Sequence, residues 1–180
     1  MNLPDLNVAV HLTRLAKTEP NRAAIHFPLR GEYQTITFQE LDRLSSHLAT
    51  GLLKLGFERG MRTVLMVPPS KEFFALTFAL FKAGIVPVMI DPGMGIRNLG
   101  KCLGQAKPTG FIGIPKAHLA RRVLGWSRST IQKTVTTGSR LWGGKWNLKQ
   151  VVAEGERHSI LDPIRPGAEE IAAILFTSGS

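Results

Sequence analysis

The sequence predicts an α/β fold with a mixed, largely parallel sheet flanked by helices. Short apolar runs alternate with longer segments whose apolar residues recur every three or four positions. One strand, helix and strand unit spans about 30 residues, the length of a βαβ crossover between parallel strands. With 180 residues and 43% hydrophobic composition, the chain can bury one core.

The N-terminal elements are predicted to be a helix, a hairpin and a second helix. Apolar residues recur at helical spacing from Val8 until TEPN ends the helix near Thr18. The strands AAIHF and QTITF, joined by the turn LRGEY, indicate a hairpin over residues 23–37. Thr37 and Glu40 then have the spacing of a capping box, which predicts the start of a long amphipathic helix.

The βαβ unit follows this helix. The run TVLMV predicts a buried strand, Ser70 can cap the helix KEFFALTFALFKAG, and IVPVMI predicts the next strand. A membrane-spanning helix over residues 73–90 is the alternative. Lys82 and Pro87 lie near the middle of that stretch, where a charge is costly in a bilayer, so we expect no membrane span.

The second half of the chain predicts shorter elements. RNLGKCLGQAK predicts a helix, TGFIGI a strand and PKAHLARRVLGW a further helix. Residues 127–150 lack clear periodicity and predict loops with a short strand near KTVTT. After the connector DPIRPGAEE, the run IAAILF predicts the last strand at residues 171–176.

The composition also indicates a cellular setting. No secretory signal pattern follows MNLPDLNVAV, so a cytoplasmic location is expected. Cys102 is the single cysteine, which fits a reducing compartment. The five histidines lack metal-ligand spacing or a paired carboxylate, and we predict no metal site from them. They are His11, His26, His47, His118 and His158.

The net charge of +10 comes from one region, residues 92–153, here called the basic segment. It contains eleven basic residues and no acidic residue, whereas the remainder has 12 basic and 13 acidic residues. Together with Trp126, Trp142 and Trp146, it can bind anionic lipid headgroups or an acidic partner. A solvated basic surface is the alternative. No groove-reading motif is present, and we expect no nucleic-acid partner.

One glycine motif in the basic segment resembles a P-loop. Gly95 to Cys102 matches G-x-x-x-x-G-K, but Cys102 stands where a P-loop has Ser or Thr. That hydroxyl coordinates Mg²⁺, a cation that prefers oxygen ligands. We therefore expect Gly93 and Gly95 to shape a turn and Lys101 to be exposed.

A second candidate anion site is Thr177-Ser178-Gly179-Ser180, which follows the last predicted strand. Consecutive amides and three hydroxyls can converge on one anion, and the glycine allows the backbone to approach it closely. The same residue types also form ordinary exposed turns, so these four residues alone do not decide between the two interpretations.

Several motifs, in this order, resemble the N-terminal part of the adenylate-forming superfamily of acyl-CoA synthetases, nonribosomal-peptide adenylation domains and luciferases. They are ITFQEL at Ile36–Leu41, KAG at Lys82–Gly84, Asp91-Pro92 and TSGS at Thr177–Ser180. The superfamily's phosphate loop reads T-S-G-S-T-G-x-P-K-G. PGMGIRN and FIGIPKAHLARR are most similar to fatty-acyl-CoA-ligase-like members, especially the β-lactone synthetases of olefin biosynthesis.

The resemblance implies that residues 1–180 are the incomplete N-terminal part of an AMP-binding (adenylation) domain. The enzyme would use ATP and Mg²⁺ to convert a fatty or 3-hydroxy fatty acid into an acyl-adenylate. CoA, a carrier protein or the substrate's own hydroxyl would then displace AMP. The ATP phosphates would be contacted by Thr177, Ser178, Gly179 and Ser180. No catalytic residue is assigned.

Two further expectations follow. The 180-residue chain alone is expected to be inactive, because the resemblance places the superfamily's other functional residues beyond Ser180. The alternative to an enzyme is a non-catalytic basic module that binds an anionic membrane surface or an acidic partner. Peripheral membrane contact is also compatible with the enzyme.

Overall fold

The computed structural model describes residues 6–29, 31–140 and 143–177, and it is built in layers. The helices are α1 (Val8–Thr18), α2 (Phe38–Lys54), α3 (Lys71–Ala83), α4 (Ile96–Ala106), α5 (Pro115–Leu124) and α6 (Leu148–Glu156). The strands are β1 (Ala23–Leu29), β2 (Glu32–Thr37), β3 (Arg62–Met66), β4 (Val86–Ile90), β5 (Gly110–Gly113), β6 (Lys133–Thr136), β7 (Trp146–Asn147) and β8 (Ile174–Phe176).

The strands form a parallel sheet and a separate hairpin. Within the described ranges the sheet has the order β7-β6-β5-β3-β4-β8, and all neighbouring strands are parallel. β1 and β2 pair antiparallel in the hairpin. The predicted α/β class, with a largely parallel sheet between helices, is confirmed.

The sheet divides the hydrophobic core of the described residues into two clusters, because successive strand residues point to opposite faces. Leu65 and Ile112 pack with α2, α3 and α6 on one face. Val64 and Phe111 pack with α4, α5 and Trp126 on the other face. The strands are therefore buried on both sides, as expected for a parallel sheet.

The predicted capping box at the start of α2 is present. Thr37 Oγ1 accepts a hydrogen bond from the Glu40 amide at 3.3 Å, and the Thr37 amide donates to Glu40 Oε2 at 2.9 Å. The hydrogen bonds that the Thr37 amide and then the Thr37 hydroxyl donate to Glu40 Oε2 lower the pKa of Glu40. The box places the apolar side of α2, beginning with Leu41, against the core.

Replacing Thr37 with alanine is expected to lower the free energy of unfolding by about 1 kcal/mol, because an N-terminal amide of α2 loses its acceptor. Urea unfolding measures this loss. Ser129→Ala, at an exposed turn residue, is the matched control and should change little. Because folding lowers the pKa of Glu40, the Glu40 carboxylate stabilises the folded chain fully above its unfolded-state pKa. This stabilisation is lost as the pH falls through the lower folded-state pKa of Glu40. Equal stabilities of Thr37→Ala and the parent chain would contradict the assignment.

The prediction of loops over residues 127–150 is only partly right. β6 confirms the short strand, but β7 and α6 follow where no helix was predicted. α6 begins with a second capping box, in which Asn147 Oδ1 accepts from the Gln150 amide at 2.9 Å and Gln150 Oε1 accepts from the Asn147 amide at 3.0 Å. This Asn-x-x-Gln spacing was the overlooked signal.

The last strand is shorter than predicted, since β8 begins at Ile174 rather than at residue 171. Its pairing with β4 starts at Val88↔Ile174. The Val86 amide donates to Met61 on the β3 side, so Pro87, one residue later, faces β8 and has no N–H to donate. Pro87 therefore restricts the pairing between β4 and β8 to the last residues of β4.

No helix in the described part of the chain is long and apolar enough to cross a membrane. The apolar stretch at residues 73–90 is divided by Gly84, whose φ of 67° ends α3 in the left-handed conformation before β4 begins. The structure therefore agrees with the predicted helix-to-strand junction.

A buried ion pair joins α2 and α3. Lys82 Nζ lies 2.7 Å from Asp42 Oδ1, and the Lys82 side chain is only 2% exposed. Lys82 also donates to Ser46 Oγ at 2.7 Å, while Thr13 of α1 donates to Asp42 Oδ1 at 2.8 Å. Burial lowers the pKa of Lys82, and Asp42 opposes that shift.

α2 and α6 cross at two glycines. A Cβ on Gly51 would overlap the carbonyl oxygen of Val151, and a Cβ on Gly155 would overlap the carbonyl oxygen of His47. The absence of side chains at both positions therefore lets the two backbones touch.

Candidate functional site

The candidate site lies at the carboxyl edge of the parallel sheet. β3 ends at Met66, β4 at Ile90 and β8 at Phe176, and parallel strands end at the same side. α3 and α4 begin just after β3 and β4, so their N-terminal amides also lie at this edge. Helix N-termini carry partial positive charge and free N–H donors, which favour anions.

Thr177 directly follows β8 at this edge and is exposed. The preceding residue Phe176 pairs with Ile90, and its carbonyl accepts a hydrogen bond from the Asp91 amide at 3.1 Å. The structure thus brings the start of the predicted phosphate loop beside the Asp91-Pro92 motif. The other predicted site residues, Ser178, Gly179 and Ser180, lie outside the described residues.

The turn after β4 is ordered by Asp91. Its Oδ1 accepts a hydrogen bond from the Gly93 amide at 2.8 Å, which starts a 3-10 turn at Pro92–Met94. Gly95 then has a φ of 78° and leads into α4. The expected turn at Gly93 and Gly95 is confirmed, and it forms one side of the edge next to Thr177.

The P-loop-like motif does not form a loop. Its residues after Gly95 belong to α4, with Lys101 exposed and Cys102 buried. Gly100 lies inside that helix, where a Cβ would be 3.1 Å from Trp126 Nε1. The motif therefore packs as a helix and does not surround an anion.

The histidines do not assemble a metal site. His118 is buried, its Nε2 lies 3.0 Å from the Val135 carbonyl, and burial lowers its pKa. His158 pairs with Glu154 and His26 with Thr35 at the surface. Across the ranges 6–29, 31–140 and 143–177, no group of three or more His, Cys, Asp or Glu residues is placed to hold a metal ion.

The tryptophans of the basic segment do not form one exposed surface. Trp126 is buried in the core beneath α4, contrary to the interpretation that it lies at a lipid interface. Trp146 is half-buried, with Lys145 Nζ 4.7 Å and Lys133 Nζ 5.9 Å from its ring centroid. Trp142 lies outside the described residues.

Comparison with known proteins identifies the family. The sequence pattern described as "AMP-binding enzyme" matches residues 12–180, nearly the whole chain. The chain belongs to the AMP-binding enzyme family. The predicted resemblance to adenylate-forming enzymes is thereby confirmed.

Two relatives in the AMP-binding family are named olefin beta-lactone synthetase. The protein from Xanthomonas campestris is 45% identical over 97% of this chain and 32% of its own length. The one from Stenotrophomonas maltophilia is 46% identical over 100% of this chain and 34% of its own length. The chain therefore spans about a third of the length of these relatives.

A solved structure supports the fold. The long-chain-fatty-acid-CoA ligase from Archaeoglobus fulgidus superposes with a TM-score of 0.80 and 20% sequence identity. The superposition covers 100% of this chain and 36% of that chain. At this identity the likeness establishes the fold alone.

One feature of the candidate site was missed by sequence reasoning. Asp91 was recognised as part of a motif, but its contact with Phe176 joins residues 85 positions apart and depends on β4 and β8 being neighbours. Strand order is not encoded in local periodicity, so only the structure places Asp91 next to Thr177.

Proposed function

We propose that residues 1–180 form the N-terminal part of an adenylation domain whose enzyme activates a fatty or 3-hydroxy fatty acid with ATP. The observation that carries the proposal is the emergence of Thr177 at the carboxyl edge of β8, in a chain that matches the AMP-binding family over residues 12–180. The two relatives named olefin beta-lactone synthetase support a β-lactone-forming enzyme, and a fatty-acid–CoA ligase is the related alternative.

The proposed reaction begins with attack of a carboxylate oxygen on the α-phosphorus of ATP. The bond to pyrophosphate breaks, and an acyl-adenylate forms. Mg²⁺ would offset the charge of the phosphates. CoA, a carrier protein or the substrate's own β-hydroxyl would then displace AMP.

The residues of this chain fit the binding of the leaving pyrophosphate. Thr177 begins a Thr-Ser-Gly-Ser sequence at an edge where α3 and α4 present their N-termini. Amide and hydroxyl donors held by β8 would stabilise negative charge as it builds up on the β- and γ-phosphates. Asp91 would keep the adjoining turn in shape through its hydrogen bond to Gly93.

The proposal is tested with the protein from the complete open reading frame. We expect acid-dependent exchange of labelled pyrophosphate into ATP with 3-hydroxy fatty acids or fatty acids. In the double variant Thr177→Ala/Ser178→Ala, exchange should fall by about 100-fold, because two donors to the phosphates are removed. Thr137→Ala is the matched control, since Thr137 follows β6 at the same edge but three strands separate β6 from β8.

Two results would contradict the proposal. One is the absence of acid-dependent exchange in a folded full-length protein; the other is an equal loss in the control variant.

The 180-residue chain alone should release no pyrophosphate, because it corresponds to about a third of each relative. Robust turnover by that chain would refute the assignment of its domain as incomplete.

Cytoplasmic location and peripheral membrane contact also belong to the proposal. A long acyl substrate partitions into bilayers, so an enzyme that uses it would benefit from contact with a lipid surface. The second candidate function is a non-catalytic basic module. It is favoured only by the basic segment, residues 92–153, which contains no acidic residue. That segment is equally compatible with the enzyme.

A further inference from the structure

The outer face of α5 combines apolar and basic side chains. Lys116, Leu119 and Val123 follow each other at spacings of three and four residues, which places them on one side of the helix. Ala117 and His118 lie on the opposite, buried side. Leu119 is 40% exposed and Val123 is 74% exposed, so the outermost stripe of α5 is largely apolar.

An arginine cavity lies beside α5. Arg122, three residues after Leu119, borders the stripe, whereas Arg121, four residues after Ala117, lies toward the buried side. Arg121, Arg122 and the nearby Arg128 line an open cavity of about 350 Å³. Arg121 stacks over Phe111, with its guanidinium carbon 5.5 Å from the ring centroid, and its Nε is buried without a hydrogen-bond partner. The cavity thus offers guanidinium donors suited to a phosphate group.

The charge of these arginines is not neutralised locally. None of the ion pairs found among residues 6–29, 31–140 and 143–177 includes an arginine of the cavity. The sequence also has no acidic residue between Pro92 and Ala153. Exposed Lys116 and Arg122 therefore place positive charge beside an exposed apolar stripe, the combination that favours an anionic bilayer surface.

We propose that the outer face of α5, with the arginine cavity beside it, docks on the surface of an anionic lipid bilayer. A lipid phosphate occupies the cavity, and Leu119 and Val123 enter the headgroup region. The proposal deepens the membrane contact named under the proposed function and rests on it for the biological use of docking.

Vesicle co-sedimentation of the 180-residue chain tests the docking. We expect binding to phosphatidylcholine vesicles that contain about 30% phosphatidylglycerol, weak binding to pure phosphatidylcholine, and loss of binding as salt increases. Arg122→Glu should weaken binding on the order of tenfold or more, since it reverses a charge at the surface. Val123→Asp should weaken it by about tenfold, because it places a charge in the apolar stripe.

Two matched controls separate docking from general electrostatics. Lys17→Glu reverses an exposed charge on α1, and Val8→Asp changes an exposed apolar residue in the first turn of α1. Both should leave vesicle binding within about twofold. Circular dichroism must show that each variant is folded.

Three results would overturn the proposal: equal binding to neutral vesicles, unchanged binding of Val123→Asp, or full displacement of vesicles by millimolar inorganic phosphate. The last result would indicate a site for a soluble anion. Because the assay contains neither ATP nor acid substrate, failure of docking and failure of the ligase proposal are distinguishable.

Discussion

Replacing Asp42 with alanine is expected to lower the free energy of unfolding by about 3–5 kcal/mol, because it leaves a buried ammonium without its counter-charge. Lys82 is 2% exposed and relies on Asp42 and Ser46 for hydrogen bonds. The variant also removes the acceptor of Thr13, which ties α1 to α2. Urea unfolding at neutral pH measures the loss.

The pH dependence of this variant follows from the lowered pKa of Lys82. Burial disfavours its charged form, so the unfolded chain binds more protons than the folded chain between the lowered folded-state pKa and the ordinary lysine pKa. Stability from this group therefore rises with pH. Without Asp42 the pKa falls further, and the deficit of Asp42→Ala should be smaller at about pH 9.5 than at about pH 7.

A double variant controls for the ion pair. Asp42→Leu/Lys82→Met replaces both charges by apolar groups and should be close to the parent in stability, or at least far more stable than Asp42→Ala. If the free energy of unfolding falls as much in the double variant as in Asp42→Ala, packing and not charge accounts for the effect. A pH-independent loss in Asp42→Ala would argue the same way.

Replacing Gly51 with alanine is expected to lower the free energy of unfolding by about 2–3 kcal/mol, since the methyl group overlaps the Val151 carbonyl oxygen and pushes α6 away from α2. Gly155→Ala should behave in the same way against the His47 carbonyl oxygen. Urea unfolding measures both variants. The expected losses are net values, because alanine also favours the helix over glycine at these positions.

Gly104→Ala is the matched control for this prediction. Gly104 also lies inside a helix, α4, but no atom lies within 4 Å of its added Cβ. Alanine should therefore stabilise this position by about 0.5–1 kcal/mol through helix propensity alone. The packing argument fails if Gly51→Ala and Gly104→Ala shift stability in the same direction.

The sequence predicted the elements whose signals are local. The capping box at Thr37 and the cap at Ser70 each depend on neighbours within a few residues, and both are confirmed. The same applies to the alternating strands and helices that gave the α/β class. For the site, the sequence predicted that a strand would lead into Thr177, and β8 does so.

The features that were not predicted depend on distant contacts. Lys82 was interpreted as a charge in an apolar stretch and as part of the KAG motif, because nothing local shows that Asp42 lies 2.7 Å from it. The start of α6 did have a local signal, the Asn147–Gln150 capping box, but its position against α2 depends on Gly51 and Gly155, which are far apart in sequence. The burial of Trp126 likewise follows from the packing of α4 and not from its basic neighbours.

The glycine crossing of α2 and α6 also constrains how the nascent chain matures. Gly51 leaves the ribosome 104 residues before Gly155. At a translation rate of about 5–20 residues per second, α6 is synthesised on the order of 5–20 s after α2. During that interval the glycine-bearing side of α2 stays uncovered, which gives chaperones a time window in which to bind.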